Sequence, residues 1–224
     1  MTVQQHIDAS LRKLFKGVDR VYGSSRTDSG VHALAMAAHV EIPEEEFRMS
    51  PSKLRLALNT FLPADIRVMD IEQVSPRFHA QYDAKGKQYR YQIWNHRAMN
   101  PLFLNKAWHV PQILDRSAMR RACRYFLGTK DFKSFAAHHT YEIESTIRTV
   151  SVCRIKTGSS LISIIIEGDG FLYKMCRGMV GTLIQVGQGK YAPEDIEEMF
   201  NKRDRRCAGM SAPAEGLYLW KVFY

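Results

Sequence analysis

The ten residues Ser24-Ser25-Arg26-Thr27-Asp28-Ser29-Gly30-Val31-His32-Ala33 place an arginine and a carboxylate two positions apart, in a loop that contains a glycine. A largely apolar stretch, residues 35 to 40, follows directly. A carboxylate beside a cation and next to apolar residues suits a buried anionic nucleophile. The same residues also suit a plain turn, because Asp bonds its own backbone and Gly tolerates positive φ. This loop alone leaves both interpretations open.

The composition is that of an ordinary globular protein, and its basic charge favours a polyanionic partner. The chain has 224 residues, of which 45% are hydrophobic and 25% are charged, so it is long enough for one or two domains with a sizeable core. Apolar runs such as residues 161 to 166 are too short to span a membrane, and no secretory signal is visible. The formal net charge of +9 favours binding to a nucleic acid. A local cluster, residues 202 to 206, contributes four basic side chains, but it equally suits a solvated helix end.

The cysteines and histidines indicate no metal site and a reducing compartment. Cys123, Cys153, Cys176 and Cys207 are far apart and form no CxxC pair, which argues against zinc. Free thiols in the cytosol explain them most simply, so we expect a cytoplasmic protein. The adjacent histidines at 138 and 139 would point to opposite faces of a strand, which does not suit shared metal ligation.

The hydrophobic pattern predicts an α+β fold in which helices pack on a mixed or antiparallel sheet. Capping signals place helix starts at Ser50-Pro51 and at Asp115. The predicted helices cover residues 3–16, a segment from 51, 116–127, 170–186 and a segment from 193. The predicted strands lie near residues 20–22 and at 35–42, 66–74, 87–95, 147–155, 161–167 and 217–223.

Further sequence blocks follow the first loop in a fixed order. They are Arg77-Phe78-His79-Ala80 with Gly86-Lys87-Gln88-Tyr89-Arg90-Tyr91, then Asp131-Phe132-Lys133-Ser134-Phe135, then residues 170 to 183, and then residues 212 to 219. Together with Arg26-Thr27-Asp28-Ser29-Gly30-Val31-His32-Ala33, they resemble the TruA family of tRNA pseudouridine synthases over residues 2 to 224. One such block is weak evidence, whereas five in family order are strong evidence.

This resemblance implies a fold and an activity. The fold is two ferredoxin-like halves that form a continuous mixed or antiparallel sheet, with helices on one side and a central basic cleft. Residues 1–82 would be the N-terminal catalytic half that carries the Arg-Thr-Asp loop, and residues 83–224 the C-terminal half with the tyrosine and arginine blocks. The activity is isomerisation of uridine to pseudouridine in the anticodon stem-loop of tRNA, at tRNA positions 38–40, by a homodimer. The reaction needs no cofactor and no metal.

The resemblance also assigns roles to individual residues. Asp28 is the catalytic carboxylate, and its attack on the uracil ring or on the sugar stays open. Arg177 is its candidate ion-pair partner, because a nearby guanidinium favours the charged carboxylate. Tyr89 could stack under a uracil or pack in the core. Leu217 could form an apolar wall, although core packing explains it more simply. The candidate RNA contacts are the basic residues of the blocks: Arg26, which could fill the gap left by a flipped nucleotide, His32, Arg77 and Lys174.

Two departures from the family pattern are visible. The family opens with a strand that carries Tyr-Asp-Gly and Gly-Trp-Gln, whereas this chain begins Met1-Thr2-Val3-Gln4. We therefore expect either an exposed gap beside the strand that leads into Ser24, or another segment or chain that fills it. The family also often has arginine after Phe-His-Ala, where this chain has Gln81.

Two other functions compete with the isomerase. A non-catalytic protein that binds or folds RNA could retain this fold, and the missing opening strand favours it. The joint presence of Asp28, Tyr89 and Arg177 argues against it. A phosphodiester-cleaving nuclease would need clustered carboxylates with a metal or a histidine pair, and the sequence arranges neither well.

Overall fold

The structure, a computed structural model, describes residues 1–137 and 144–224. Its main elements, in chain order, are α1 (Val3–Arg12), β1 (Tyr22–Gly23), β2 (His32–Ala33), β3 (Ala38–His39), α2 (Pro51–Phe61), β4 (Gly86–Trp94), β5 (Trp108–His109), α3 (Arg116–Cys123), β6 (Gly128–Asp131), β7 (Ile147–Thr157), β8 (Leu161–Gly168), α4 (Met175–Gly187), α5 (Asp195–Lys202) and β9 (Leu217–Phe223). The predicted α+β class is confirmed. None of the described helices is long and apolar enough to cross a membrane.

The chain divides into two compact units. The first unit contains Met1–Arg26 and Ala37–Ala84, and the second contains Thr27–Met36 and Lys85–Tyr224. The loop with Asp28 therefore packs as part of the second unit. The division of the chain into functional halves at residue 82 stays a prediction.

In the first unit, α1 and α2 enclose a small apolar core. Thr2 caps α1 through a capping box with Gln5, and Ser50 caps α2 with Pro51 as its first residue, as the sequence predicts. The two helices and the chain between them bury six hydrophobic side chains: Leu11, Phe15, Val18, Val21, Leu54 and Leu58. α1 ends at Arg12, earlier than the predicted residue 16.

The backbone that leads into β1 is held by side chains of α1. Gln4 Nε2 donates to the carbonyl of Val21 at 2.8 Å, and Asp8 Oδ1 accepts from the Val21 amide at 2.8 Å. Arg12 Nη2 donates to the carbonyl of Asp19 at 2.6 Å. Positions 4, 8 and 12 share one face of a helix, so this face satisfies the main chain of residues 19 to 21. These bonds lie before β1, so the expected gap or filling segment beside Ser24 stays a prediction.

The structure differs from the predicted continuous sheet in one respect. β1 and β3 pair with each other in a sheet of their own, and the other seven strands form a second sheet. The predicted strand over residues 35–42 is reduced to Ala38–His39, so the β1–β3 ladder contains only two residue pairs. Side chains of α1 bond main-chain groups just before β1. Those groups are therefore not available to lengthen the β1–β3 ladder.

The predicted strand over residues 66–74 is wrong. The Asn59 side chain of α2 accepts from the Val68 amide and donates to the Val68 carbonyl, both at 2.8 Å. Arg55 donates to the Met69 carbonyl at 3.3 Å. Val68 and Ile71 pack against the core of the first unit while the main chain is bonded to a helix. These two positions are three residues apart, a spacing that does not fit one face of a strand.

The second unit is built on the seven-stranded sheet. Its strand order is β2-β9-β4-β8-β7-β6, with β5 beside β4, and β2 pairs in parallel with β9. The hairpin of β7 and β8 and the long strands β4 and β9 lie where the sequence predicts. Alternate residues of β4, beginning with Tyr89 and Tyr91, join the core that α3, α4 and α5 complete. The helices of this unit thus cover one face of its sheet, as predicted.

Candidate active site

The loop that carries Asp28 is fixed to the edge of the large sheet. The Asp28 carbonyl accepts from the Val31 amide at 3.1 Å, which closes a turn. Gly30 has a φ of 82°, a backbone conformation that glycine adopts without steric cost. β2 then pairs with Tyr218 and Leu219 of β9, and the Leu34 amide donates to the Leu219 carbonyl at 2.9 Å. The Asp28 side chain therefore projects from a short loop whose two ends are constrained.

Arg177 comes from the first turn of α4. The other twelve residues of α4 are buried, whereas Arg177 keeps 15% of its side chain exposed. The helix approaches its neighbours very closely, because a Cβ at Gly178 would lie 2.1 Å from the carbonyl oxygen of Phe135, and one at Gly181 would lie 1.7 Å from that of Met210. These two glycines allow α4 to enter the core at the depth that places Arg177 beside the loop with Asp28.

The expected ion pair is present. Arg177 Nη1 donates to Asp28 Oδ2 at 2.6 Å, and the Asp28 side chain is 22% exposed. The same guanidinium donates through Nε to the carbonyl of Ala212 at 2.7 Å, and the Ala212 amide donates back to the Arg177 carbonyl at 3.0 Å. One arginine therefore joins the Asp28 loop, α4 and the segment before β9. The carboxylate is paired and half-buried, and it keeps an accessible surface.

The segment that presents the Ala212 carbonyl is held by buried polar side chains that the sequence does not single out. Thr182 Oγ1 accepts from the Gly209 amide at 3.0 Å, and Gln185 Oε1 accepts from the Met210 amide at 2.9 Å. Both side chains belong to α4. The only sequence signal for them is a polar residue inside an otherwise apolar helix. They position the segment that in turn positions Arg177.

Tyr91 is a second supporting residue that sequence reasoning missed. Its hydroxyl donates to the Pro213 carbonyl at 2.7 Å, and its ring lies against Gly216. Burial raises the pKa of Tyr91 above its ordinary value, and the neighbouring Glu215 raises it further, so the hydroxyl stays protonated as a donor. The available signal was its spacing of two from Tyr89, which places both rings on one face of β4.

Tyr89 and Leu217 lie in the core of the second unit. Tyr89 sits on β4 between Leu219 of β9 and Ile166 of β8, and its ring packs edge-on against Phe171 at 5.2 Å. Leu217 opens β9 opposite Tyr91 and is buried. Both side chains thus pack in the core. From the sequence, core packing was one interpretation of Tyr89, beside base stacking, and of Leu217, beside an apolar wall.

The candidate RNA contacts fall in both units. In the second unit, the His32 ring stacks on Tyr218 at 4.6 Å and its Nε2 lies 2.8 Å from the Asn105 carbonyl. Lys174 precedes α4 with a φ of 56°, and its ammonium lies 4.8 Å from the Tyr173 ring. Arg26 and Arg77 belong to the first unit, and both are exposed.

Residues 1–137 and 144–224 contain no group of three or more His, Cys, Asp or Glu side chains that could hold a metal ion. The histidine pair at 138 and 139 lies outside the described residues.

Comparison with known proteins agrees with this geometry. A family model described as tRNA pseudouridine synthase matches residues 1–83 and 122–224. The chain is 42% identical over 225 residues to tRNA pseudouridine synthase A of Bacillus licheniformis, covering all of this chain and 90% of that protein. It is 42% identical to the protein of the same name from Geobacillus kaustophilus, of which it covers 85%. It is 41% identical to tRNA pseudouridine synthase A 2 of Clostridium perfringens, of which it covers 90%. The chain therefore belongs to the TruA family of tRNA pseudouridine synthases.

Proposed function

We propose that this member of the family isomerises uridine to pseudouridine in the anticodon stem-loop of tRNA, with Asp28 as the catalytic carboxylate. The observation that carries the proposal is the 2.6 Å pair between Asp28 and Arg177. A nearby guanidinium stabilises the carboxylate in its anionic form. A half-buried position limits water around it while leaving one side open to a substrate.

The reaction needs little beyond such a group. The bond between the sugar and N1 of uracil breaks, the detached uracil turns, and a new bond forms between the same sugar carbon and C5. C5 then loses its proton and N1, now free of the sugar, gains one, so the product has the same atoms as the substrate. Whether the carboxylate attacks the uracil ring or the sugar carbon, it must be in its anionic form. Arg177 keeps that anion oriented throughout, because Ala212 fixes the other edge of its guanidinium.

We assign the remaining roles as follows. Tyr89 stacks under the uracil from the edge of the core, and Leu217 forms an apolar wall that excludes water from the detached base. Arg26, His32, Arg77 and Lys174 contact the RNA, and Arg26 takes the place of the flipped nucleotide. The active form is a cytoplasmic homodimer, an assignment that rests on the family resemblance. Sedimentation of the purified chain, with and without tRNA, measures that assembly.

Substitution of Asp28 tests the proposal. Asp28→Asn keeps the shape of the side chain and removes its charge, so turnover should fall below detection while tRNA affinity changes little. The reaction changes no mass, so the assay follows tritium released from C5 of labelled uridine in tRNA. The matched control is Asp204→Asn, which removes a carboxylate that also pairs with an arginine at 2.6 Å. Asp28→Asn turnover near that of the wild type would contradict the role of Asp28, whereas a wild type that binds tRNA but releases no tritium would leave only a protein that binds RNA.

A further inference from the structure

Four rings of the first unit form a continuous series, here called the aromatic ladder: Tyr22, His39, His79 and Tyr82. The Tyr22 and His39 rings stack at 5.0 Å with 12° between their planes. His39 meets His79 edge-on at 4.7 Å, and His79 stacks with Tyr82 at 4.1 Å with 26° between their planes. All four residues lie in one compact unit.

Backbone hydrogen bonds hold the two histidines of the ladder in place. His39 Nδ1 accepts from the Ala80 amide at 3.1 Å. His79 Nδ1 faces the amides of Gln81 and Tyr82, each at 3.2 Å, and the His79 amide donates to Asp83 at 2.8 Å. A ring nitrogen that accepts is unprotonated, so His39 is in the neutral form that carries its proton on Nε2. The ladder is therefore ordered without any ligand.

The surroundings of the ladder favour a neutral His39, and a guanidinium lies against its Tyr22 ring. Burial lowers the pKa of His39 and the neighbouring His79 lowers it further, against smaller opposing effects of Glu41 and Asp83. At the inner end of the ladder, the Arg20 guanidinium lies 4.6 Å from the centre of the Tyr22 ring. The exposed Arg77 precedes the segment that carries His79 and Tyr82. One guanidinium thus lies against the rings, and a second basic residue adjoins them in sequence.

The outer end of the ladder is open. Tyr82 is 78% exposed although one face of its ring rests on His79, so the opposite face is accessible. An exposed tyrosine that is held against a stacked partner loses little side-chain freedom when another flat group binds. Every nucleobase offers such a flat π face, and proteins recognise unpaired RNA bases chiefly by stacking them on aromatic rings.

We propose that the aromatic ladder is a stacking site for an unpaired base of the RNA, with Tyr82 as the contact ring. The inference rests on the proposed RNA substrate and adds a site remote in sequence from the Asp28 and Arg177 pair. The Tyr82 ring supplies affinity that does not depend on salt, and Arg20 and Arg77 supply phosphate attraction. The site does not select one base, because stacking tolerates all four.

The test measures binding of a single-stranded oligocytidylate, which contains no uridine and so separates binding from turnover. Tyr82→Ala should weaken this binding about 5- to 100-fold. Tyr82→Phe should keep it, because the phenyl ring stacks as well. The dependence of affinity on salt should stay unchanged in Tyr82→Ala, since no charge is lost. The matched control is Phe61→Ala, which removes another ring of the same unit that is 42% exposed. Photocrosslinking of an oligocytidylate that carries 5-iodocytidine should place the adduct on Tyr82.

Several results would overturn the site. They are equal affinity of Tyr82→Ala and wild type, an equal loss in Tyr82→Phe and Tyr82→Ala, or absence of oligocytidylate binding by the wild type at low salt. The tritium assay distinguishes failure of the stacking site from failure of the proposed reaction. If the wild type releases tritium but Tyr82 does not affect affinity, the stacking site is wrong and the reaction stands. If Tyr82 controls affinity but the wild type releases no tritium, the stacking site stands and the reaction is wrong.

Discussion

Arg177 connects the site through the shape of its side chain rather than through its charge alone. A guanidinium carries several N–H donors in a rigid plane, and here two of them serve acceptors from different segments, Asp28 and Ala212. A lysine ammonium is a single charged point on a flexible stem, and it cannot occupy both positions.

Arg177→Lys should therefore retain the charge but lose the geometry. We expect kcat to fall about 100-fold, the order associated with a misplacement of roughly 1 Å, with KM for tRNA nearly unchanged. The control is Arg206→Lys, which alters a guanidinium that also pairs with a carboxylate but is 90% exposed. If KM rises instead while kcat holds, Arg177 acts on RNA binding and not on Asp28.

The pairing of Asp28 with Arg177 was predictable, because both residues lie in recognisable sequence blocks. The Ala212 carbonyl was not, since every residue has a carbonyl and the letter at that position carries no signal. Tyr91, Thr182 and Gln185 were missed for a related reason. Their side chains act on main-chain atoms of residues 209 to 213, and that contact appears only when α4 and β4 are packed against that segment.

At the scale of elements, the position of α4 depends on Gly178 and Gly181, which lie against the backbone of Phe135 and Met210. Gly181→Ala places a methyl group 1.7 Å from the Met210 carbonyl oxygen, so α4 or the segment of Met210 must move. We expect a loss of about 1–3 kcal/mol in the free energy of unfolding, the range for overpacked cores, or more. Turnover should fall with it, because Met210 and Ala212 belong to the same short segment.

Gly158→Ala is the control for Gly181→Ala in urea denaturation. Its added Cβ would be 3.4 Å from the Leu161 carbonyl, an ordinary contact, and should change stability by less than about 0.5 kcal/mol. Equal stability of the Gly181 and Gly158 variants would show that α4 tolerates displacement.

The elements that sequence reasoning located correctly are those that carry their own signals. α2 has a serine cap followed by proline, and β4 and the hairpin of β7 and β8 have long runs that one sheet buries. The two-residue strands β2 and β5 were missed because pairing over two residues leaves no periodicity. The strand predicted at residues 66–74 failed because Asn59, a residue of α2, takes the main-chain bonds that a strand partner would take.

At the scale of the whole molecule, the charge of +9 should dominate the affinity for tRNA. The plot of log affinity against log salt should have a slope of magnitude about 3 or more, because each neutralised phosphate releases about 0.7–0.9 counterions. Arg77→Gln should reduce that slope by about 1 if Arg77 contacts a phosphate. Arg206→Gln, whose guanidinium is already paired with Asp204, serves as the control. A slope near zero would contradict a basic RNA-binding surface.

The separation of Asp28 from Arg177 along the chain, 149 positions, has a consequence for the protein while it is being made. A ribosome that adds about 5–20 residues per second takes roughly 7–30 s to travel from one codon to the other. During that interval the carboxylate has been synthesised without its countercharge, and β2 waits longer still for β9, the strand with which it pairs. If Asp28 acts as proposed, a nascent chain should therefore not modify the tRNAs near the translating ribosome until Arg177 and the last strand have been added.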